Sequence, residues 1–253
     1  MVFDAYNDAG YNDVTLNGDP LQNYGALSLL DYSIGETPLE VDSFTGKNRT
    51  TTRLLDVRFL ARQIELGLVF YGATLREAKL QRSRFNGAIF GDFTIYIPDD
   101  GFYYHCYPDS FGEEKLVGIG DGEAAISARI RCHGFRQDSA RQVVLQRGDV
   151  LYCPSTMPRT DCKLTVTSTH TTTRYFFGGG IFQDVTSGDV LLFDGIAGKI
   201  QKNGADYAGK VTWTNFPFLR PGENTVYAYD YESIQPEIPY SDAVTVEYSP
   251  TYI

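Results

Sequence analysis

The residues best suited to chemistry in this sequence are its three histidines and four cysteines. Two adjacent pairs, His105-Cys106 and Cys132-His133, would form a zinc site if their strands were neighbours. Alternation along a strand sends adjacent residues to opposite faces, which argues against that site. The other two thiols, Cys153 and Cys162, bracket a polar loop, and either a disulfide between them or a structural metal site with His170 fits this spacing.

No pattern in the sequence indicates an enzymatic site. The chain has no Gly-x-Ser-x-Gly elbow, no phosphate-binding glycine loop and no His-Glu-x-x-His pair. The acidic pairs Asp99-Asp100 and Glu113-Glu114 are candidates for the two carboxylates of a glycosidase, but they lie in predicted turns, where acids cap free amides and stay solvated. Four cysteines are also too few for a disulfide scaffold. We expect a protein that is not an enzyme, holds no metal or cofactor, and keeps its thiols reduced.

The composition favours strands over helices. The 253 residues include 18 Tyr and 16 Phe against 2 Met, and aromatic residues suit the half-buried surface of a sheet. The net charge of −10 argues against a protein that grips nucleic-acid phosphates, although an acidic wall would let DNA slide past without sticking. No apolar run reaches the roughly 18 residues of a membrane span, and the first residues do not resemble a signal peptide. The sequence predicts a mainly β protein without membrane insertion.

Periodicity places the strands and the helix of the first half. In residues 54–70 the apolar side chains occupy alternate positions, first the odd-numbered ones and then the even-numbered ones. This change predicts a long strand with a bulge near Arg62 or two strands joined tightly. One helix is predicted at about 74–87, with Thr74 as its N-cap and Glu77 completing a capping box. Its basic face is expected to be solvated, although contact with an acidic partner or with DNA is open; this face carries Arg76, Lys79, Arg82 and Arg84.

Two further patterns predict paired strands. Residues 93–97 and 102–106 flank the turn at 98–101, which is typical of a hairpin. Residues 126–132 alternate so that one face is apolar and includes Cys132 as a small core residue. The opposite face is expected to be exposed or to form a contact surface, and it carries Arg129, Arg131 and His133.

A polar stretch at residues 135–141 separates two halves that are each able to build a core. We therefore predict two domains, residues 1–136 and 137–253. In the second, strands recur about every ten residues, as in a β-sandwich. Residues 30–53 have neither helical nor strand periodicity, so an extended arm laid over a neighbouring subunit and a mobile loop are both open. The candidate contact residues of this arm are Gly35, Pro38, Phe44, Arg49 and Arg53.

The turn residues after position 186 form an ordered series. A Gly188-Asp189 turn precedes a strand, Asn203-Gly204 closes a short hairpin, and a segment of the form FP.L.PGEN follows at Phe216, Pro217, Leu219, Pro221, Gly222, Glu223 and Asn224. Asn-Gly supplies positive φ at both turn centres, and Pro-Gly fixes a corner. This series resembles the C-terminal, galectin-like domain of the distal tail proteins of long-tailed, siphovirus-type bacteriophages. The first half is similar more loosely, through the opening VTLNGDP and the strand, helix, strand order of residues 54–107.

The resemblance implies a structural role in the virion. It implies an N-terminal ring-forming β-sandwich or split barrel with one helix, followed by a galectin-like β-sandwich. Such proteins form a hexameric homo-oligomeric ring at the tail tip, made in the host bacterial cytoplasm. The ring joins the tail tube protein to the tail-tip or tail-associated lysin protein, carries receptor-binding proteins, and lets phage DNA pass without specific binding.

A soluble carbohydrate-binding protein remains an alternative of a different class. Sugar sites combine an exposed aromatic platform with polar side chains, and Trp213 is the only tryptophan in the chain. Trp213 lies two residues after Val211, so on a single strand both would share one face, which predicts a core position for Trp213 instead. A glycosidase is a third possibility, and it would require turnover that depends on one of the acidic pairs.

Overall fold

The structure is a computed structural model that describes residues 13–44, 53–120, 123–146, 148–231 and 242–253. The chain divides into two compact units, one up to Gln137 and one from Asp138 to Tyr252. Each unit has its own core of buried apolar side chains. In the part of the chain that is described, every helix is too short or too polar to span a bilayer. The predicted mainly β fold class is confirmed.

The described residues of the first unit form one long antiparallel sheet, one α-helix, a short 3-10 helix (Leu21–Tyr24) and a separate strand pair. Its elements are β1 (Thr15–Leu16), β2 (Asp19–Pro20), β3 (Ala26–Ile34), β4 (Leu39–Phe44), β5 (Arg53–Phe59), β6 (Arg62–Gly72), α1 (Leu75–Ala88), β7 (Phe93–Ile97), β8 (Phe102–Gly120) and β9 (Glu123–Gln137). The sheet has the strand order β2-β1-β7-β8-β9-β6-β3, while β4 and β5 pair only with each other. The helix packs on the sheet through the buried Ala78 and Phe85, and the Phe85 ring lies edge-on to Phe70 with 5.7 Å between centroids.

Residues 54–70 form two strands in different sheets, β5 and β6. The change of parity marks the break at residues 60–61, after which β6 pairs along its whole length with β9. Residues 30–34 belong to β3 and residues 39–44 to β4, so these positions form strands although the sequence has no strand periodicity across 30–53. Residues 39–43 are exposed on both faces, and a strand with no buried face has no reason to alternate apolar and polar residues.

Helix α1 begins where its capping residues predict. Thr74 accepts a hydrogen bond from the Glu77 amide at 3.2 Å through its hydroxyl. The Glu77 carboxylate accepts from the Ala73 amide at 2.9 Å, one residue before the position that a standard capping box uses. The helix continues through Asn86-Gly87 to Ala88, so this dipeptide lies within the last turn and does not end the helix.

The hairpin of β7 and β8 has the predicted register. Phe93, Ile95 and Ile97 lie opposite Cys106, Tyr104 and Phe102. Gly101 has φ of +74°, a conformation that glycine adopts at little cost. In β9 the apolar parity is buried as expected, from Ile126 to Cys132.

The second unit is built from two main sheets. Its strands are β10 (Arg141–Leu145), β11 (Leu151–Cys153), β12 (Thr160–Thr167), β13 (Thr172–Phe177), β14 (Gly180–Val185), β15 (Val190–Asp194), β16 (Lys199–Lys202), β17 (Ala205–Asp206), β18 (Val211–Thr212), β19 (Phe218–Leu219), β20 (Gly222–Asn224), β21 (Ala228–Asp230), β22 (Val244–Tyr248) and β23 (Thr251–Tyr252). One sheet has the order β10-β22-β12-β15-β16-β17 with β19 beside β12, and the other has the order β18-β14-β13-β21. Strands β11 and β20 form a separate ladder.

Aromatic side chains from the two sheets build the core of the second unit. Phe182 of β14 lies 5.7 Å from Phe177 of β13 and 6.1 Å from Phe193 of β15, measured between ring centroids. All three side chains are fully buried. The chain changes partner between Asn224 and Ala228, because β20 pairs with β11 while β21 pairs with β13.

Candidate functional site

The turn residues of the ordered series have the backbone angles that their types allow. Gly188 has φ of +93°, and the hairpin of β16 and β17 turns through Asn203 at +51° and Gly204 at +79°. The first unit contains an equivalent turn between β1 and β2, through Asn17 at +53° and Gly18 at +88°. Two consecutive residues with positive φ match the right-handed twist of the flanking strands, which explains the Asn-Gly pairs.

Asp189 and Asn203 join two of these turns through their side chains. The Asn203 amide nitrogen donates to the Asp189 carboxylate at 2.7 Å, and its oxygen accepts from the Val190 amide at 2.8 Å. Asp189 also accepts from the Thr186 amide at 2.8 Å and contacts the Lys202 ammonium at 3.1 Å. The hydrogen bond from Thr186, with those from Asn203 and Lys202, lowers the pKa of the Asp189 carboxyl. Both turns are therefore held by a charge-assisted network.

Asn17 contacts its neighbouring strand in the same way. Its backbone amide donates to the Thr94 carbonyl at 2.7 Å, and its side-chain oxygen accepts from the Thr94 amide at 2.8 Å. Asn203 makes the same pair of bonds to Val190, both at 2.8 Å. In both units, therefore, an asparagine in a tight turn makes two hydrogen bonds to the strand that pairs with the first strand of its hairpin.

Phe216 and Pro217 lie over Gly195, a glycine in the turn between β15 and β16. A Cβ atom at Gly195 would lie 2.3 Å from the Pro217 carbonyl oxygen and 2.9 Å from that of Cys162. The Gly195 amide donates to the Cys162 carbonyl at 2.9 Å, and the Cys162 amide donates to the Pro217 carbonyl at 3.3 Å. Phe216 packs against Phe193 with 5.8 Å between ring centroids. Three backbone segments meet here, and they leave no room for a side chain at position 195.

Asn224 closes the corner at Pro221-Gly222. Its side-chain oxygen accepts from the Arg220 amide at 2.8 Å, and its nitrogen donates to the carbonyls of Arg220 and Gly222 at 2.7 and 2.9 Å. Gly222 has φ of +87°, where a residue with a Cβ would be strained. The residues of the ordered series thus fall into three groups, at Asp189 and Asn203, at Phe216 and Pro217, and at this corner. Each group fixes backbone geometry.

The arm residues form the base of a strand pair, which we call the arm hairpin (β4 and β5). Gly35 donates to the Gln63 carbonyl at 2.8 Å, and the Pro38 carbonyl accepts from Leu60 at 2.9 Å. Phe44 pairs with Arg53 at the other end of the ladder. Arg49 lies outside the described residues. The loop that leads into the arm hairpin is therefore fixed to the start of β6.

The arm hairpin exposes apolar side chains. Leu39 is 54% exposed and Val41 is 49% exposed, and a two-stranded hairpin alone is at best marginally stable in water. At its base the buried Arg62 donates to the Thr37 hydroxyl at 2.7 Å, and burial lowers the pKa of this guanidinium. The sequence indicated Arg62 only as the position of a bulge. A second surface that covered Leu39 and Val41 would bury this exposed apolar area.

Trp213 lies at the surface of the second unit, so the prediction of a core position is wrong. Its side chain is 38% exposed. Strand β18 ends at Thr212, so the parity shared with Val211 does not extend to Trp213. The indole packs on Phe216 and Phe193, with 4.5 and 6.4 Å between ring centroids.

Strands β8 and β9 are neighbours and bring the buried Cys106 and Cys132 together, but His105 and His133 lie on the opposite face of the sheet. All four thiols are buried and free, and Cys153 donates to the Ser155 hydroxyl at 3.2 Å. Burial raises the pKa of Cys162 to about 12, which leaves it unreactive as a nucleophile. Within the described ranges, no three or more His, Cys, Asp or Glu side chains are placed to hold a metal ion.

Two acids expected to be solvated are instead part of internal networks. Asp100 accepts from the Tyr104 hydroxyl and contacts Arg136 at 3.4 Å. Burial and the bond to Asp100 raise the pKa of Tyr104 to about 12. Glu114 binds two basic residues of the helix, Lys79 at 2.5 Å and Arg82 at 3.0 Å. Turn chemistry alone did not reveal the basic partners, because Arg136, Lys79 and Arg82 lie far along the chain from these acids.

Half of the basic helix face therefore serves the first unit itself. Arg82 donates a second bond to the Gly112 carbonyl of β8 at 2.6 Å, so it holds α1 against the sheet. Arg76 and Arg84 are exposed. The expectation that this whole face is solvated or meets a partner is thus wrong for Arg82, while Lys79 keeps an exposed side chain beside Glu114.

The polar face of β9 carries an ion-pair network across three strands. Arg129 contacts Asp31 of β3 at 2.8 Å and Glu65 of β6 at 3.4 Å, and Arg131 contacts Glu65 at 2.5 Å. The hydrogen bond from Arg131 lowers the pKa of Glu65. A Cβ at Gly67 would lie 2.1 Å from the Asp31 carboxylate, so this glycine makes room for the network. The expected exposed face exists, and its charges are paired.

Comparisons with known proteins identify the fold. No protein-family model and no curated protein matches the sequence significantly. The crystal structure of the Dit protein of phage SPP1 aligns with a TM-score of 0.60 at 12% identity, over 95% of this chain and 98% of that chain. A chain of the phage p2 baseplate, in its activated conformation with Sr, aligns with a TM-score of 0.53 at 9% identity, over 90% of this chain and 92% of that chain. The resemblance to phage distal tail proteins is thus confirmed at the level of the fold, which is that of the Dit hub protein of phage SPP1.

Proposed function

We propose that this protein is a structural, non-enzymatic hub of a phage tail tip. The observation that carries the proposal is the fold match to SPP1 Dit, which covers 95% of this chain and 98% of that chain and therefore includes both units in the same order. That protein is described as a paradigm of the hub of the adsorption apparatus in phages that infect Gram-positive bacteria. The residues of the ordered series support a scaffold role because they fix turns and corners.

We infer that copies of the chain assemble into a hexameric ring through the arm hairpin. A contact between two different surfaces, repeated by rotation, closes a ring without any catalytic group. The exposed Leu39 and Val41 supply one such surface, because their burial against a neighbouring subunit would remove apolar side chains from water. Buried Arg62 and its bond to Thr37 would keep the arm hairpin in a fixed direction as it crosses.

The ring serves as a connector in this proposal. The N-terminal domain, residues 1–136, surrounds the channel, and the C-terminal galectin-like domain, residues 137–253, projects outward. The partners are the tail tube protein on one side, the tail-tip or tail-associated lysin protein on the other, and receptor-binding proteins. The net charge of −10 favours passage of phage DNA without adhesion. The location is the virion, after synthesis in the cytoplasm of the host bacterium.

The test is the mass of the purified full-length protein in solution, measured by light scattering after size exclusion. We expect a particle of about six times the 28.3 kDa of one chain, alone or after addition of the tube protein. Val41→Asp places a charge on the exposed face of the arm hairpin, so we expect it to give folded monomers. Circular dichroism of the variant should match that of the wild type.

Val150→Asp is the matched control, because Val150 is a similarly exposed valine, at 52%, in the second unit. It should assemble like the wild type. If Val41→Asp forms the same ring as the wild type, the role of the arm hairpin is wrong. If the wild type stays monomeric even with the tube protein, the ring itself is wrong.

A further inference from the structure

An open pocket of about 480 Å³ lies beside Trp213 in the second unit. We call it the Trp213 pocket, and its lining includes Lys199, Gln201, Asp206, Trp213 and Phe216. The indole is held by Phe216 and by the fully buried Phe193, so its position is fixed by the core. An aromatic ring that is fixed by the core and still exposed offers a rigid apolar platform.

The polar side of the pocket is supplied by one hairpin. Gln201 of β16 and Asp206 of β17 are directly opposite each other in the ladder, so their side chains are neighbours on one face. The turn between these strands contains Asn203, whose bonds to Asp189 and Val190 fix the hairpin. Lys199 lies two residues before Gln201 on the same strand. The network at Asp189 and Asn203 therefore also positions the polar side of the Trp213 pocket.

We propose that the Trp213 pocket binds a neutral saccharide. A sugar ring has an apolar face of C–H groups, which fits an exposed indole, and hydroxyls that both donate and accept hydrogen bonds. Lys199 donates, Asp206 accepts, and Gln201 does both, so the lining matches those hydroxyls. The single cation and the single carboxylate of the lining offset each other, which disfavours an anionic ligand. The pocket is open and combines a mainly apolar lining with polar side chains on one hairpin, which does not suit a purely apolar ligand.

This inference does not rest on the hub role, because all the pocket residues belong to one chain and one unit. Trp213 is the only tryptophan, so indole fluorescence of the full-length protein reports on this pocket alone. The probes are galactose, glucose, N-acetylglucosamine and the disaccharides lactose, maltose and chitobiose. We expect at least one of them to change the emission with saturation at a Kd of about 0.1–10 mM. Sorbitol, an acyclic polyol without a ring face, should give no saturable change.

The variants that carry the test keep the fluorophore. Asp206→Asn retains the side-chain oxygen that accepts from the Ala208 amide at 3.3 Å, but it loses the charge that a hydroxyl would meet. We expect Asp206→Asn and Gln201→Ala each to weaken binding about tenfold. Tyr152→Ala is the control, because Tyr152 is an exposed aromatic of the same unit, at 69%, outside the pocket. Its affinity should equal that of the wild type.

Trp213→Ala should abolish binding, measured by calorimetry because the fluorophore is gone. Absence of a saturable response to every probe would overturn the proposal, as would affinity that both Asp206→Asn and Gln201→Ala leave unchanged. If no sugar binds and the indole becomes shielded from acrylamide only when subunits assemble, the occupant is a second copy of this chain and the proposal is wrong.

Discussion

The side-chain nitrogen of Asn203 donates a hydrogen bond to the Asp189 carboxylate at 2.7 Å. This bond joins the turn before β15 to the turn between β16 and β17. Strands β15 and β16 also pair with each other in the sheet. Asparagine tolerates the positive φ of +51° at this position better than most residues with a Cβ. Backbone angle and side-chain bonds therefore favour the same residue.

Replacing Asn203 by alanine should destabilise the second unit. The variant loses the bonds to Asp189 and Val190 and places alanine at positive φ, so we expect a loss of about 1–3 kcal/mol. Urea unfolding followed by Trp213 fluorescence measures it. Asn215→Ala, an exposed asparagine of the same unit, is the control and should change the unfolding free energy by less than about 0.5 kcal/mol. Equal unfolding midpoints for Asn203→Ala and the control would show that the hydrogen bonds of Asn203 do not stabilise the second unit.

The stability of the second unit should depend on pH through Asp189. Its pKa in the folded state lies below the ordinary value of about 3.9, so it contributes stability above that value. This contribution is lost as the pH falls through the lower, folded-state pKa. Asp189→Asn should be less stable than the wild type at neutral pH, and the two curves should converge in acid.

Urea unfolding between about pH 7 and pH 3 measures this convergence. Asn224→Ala is the control, because it removes three bonds of an uncharged side chain. Its curve should run parallel to the wild type at every pH. A parallel curve for Asp189→Asn as well would show that the charge of Asp189 contributes nothing.

Gly195→Ala should be among the most damaging small substitutions in the second unit. The added methyl would lie 2.3 Å from the Pro217 carbonyl oxygen, and a backbone atom cannot move aside as a side chain can. We expect a loss of about 1–3 kcal/mol or more. Gly209→Ala is the matched control, since nothing lies within 4 Å of its added Cβ and its φ is not positive. Similar denaturation midpoints for the two alanine variants would refute the close approach at Gly195.

Arg82 should stabilise the first unit more than Arg84 does, although both lie on helix α1. Arg82→Ala removes the bonds to Glu114 and to the Gly112 carbonyl, which should cost about 1–2 kcal/mol. Arg84→Ala alters an exposed side chain of the same helix and should be nearly neutral. Differential scanning calorimetry separates the two, and a lower melting temperature for Arg84→Ala than for Arg82→Ala would reverse this assignment.

Local geometry was predictable from sequence because its causes are local. The register of the hairpin at 98–101 follows from alternation on both sides of a turn that ends in Gly101. The start of α1 follows from Thr74 and Glu77, which bond within one helical turn. In these places, the residues that determine the structure are neighbours in the chain.

Partners that lie far apart in sequence were not predictable. Glu114 and Arg82 are separated by 32 residues, and only the topology brings them together. Trp213 was misplaced because a two-residue strand, Val211–Thr212, does not fix the parity of the residue after it. The strand at 39–44 was not predicted because its residues 39–43 are exposed on both faces, and burial is what imposes a hydrophobic period.

The close approach at Gly195 also constrains how the chain can evolve. A related protein with a side chain at that position would need a different backbone path around Pro217. Conversely, a change in the segment around Pro217 would have to preserve its close contact with Gly195. The two stretches are thus expected to be inherited as a unit, so that an exchange of sequence between related proteins succeeds when both are transferred and fails when they are separated.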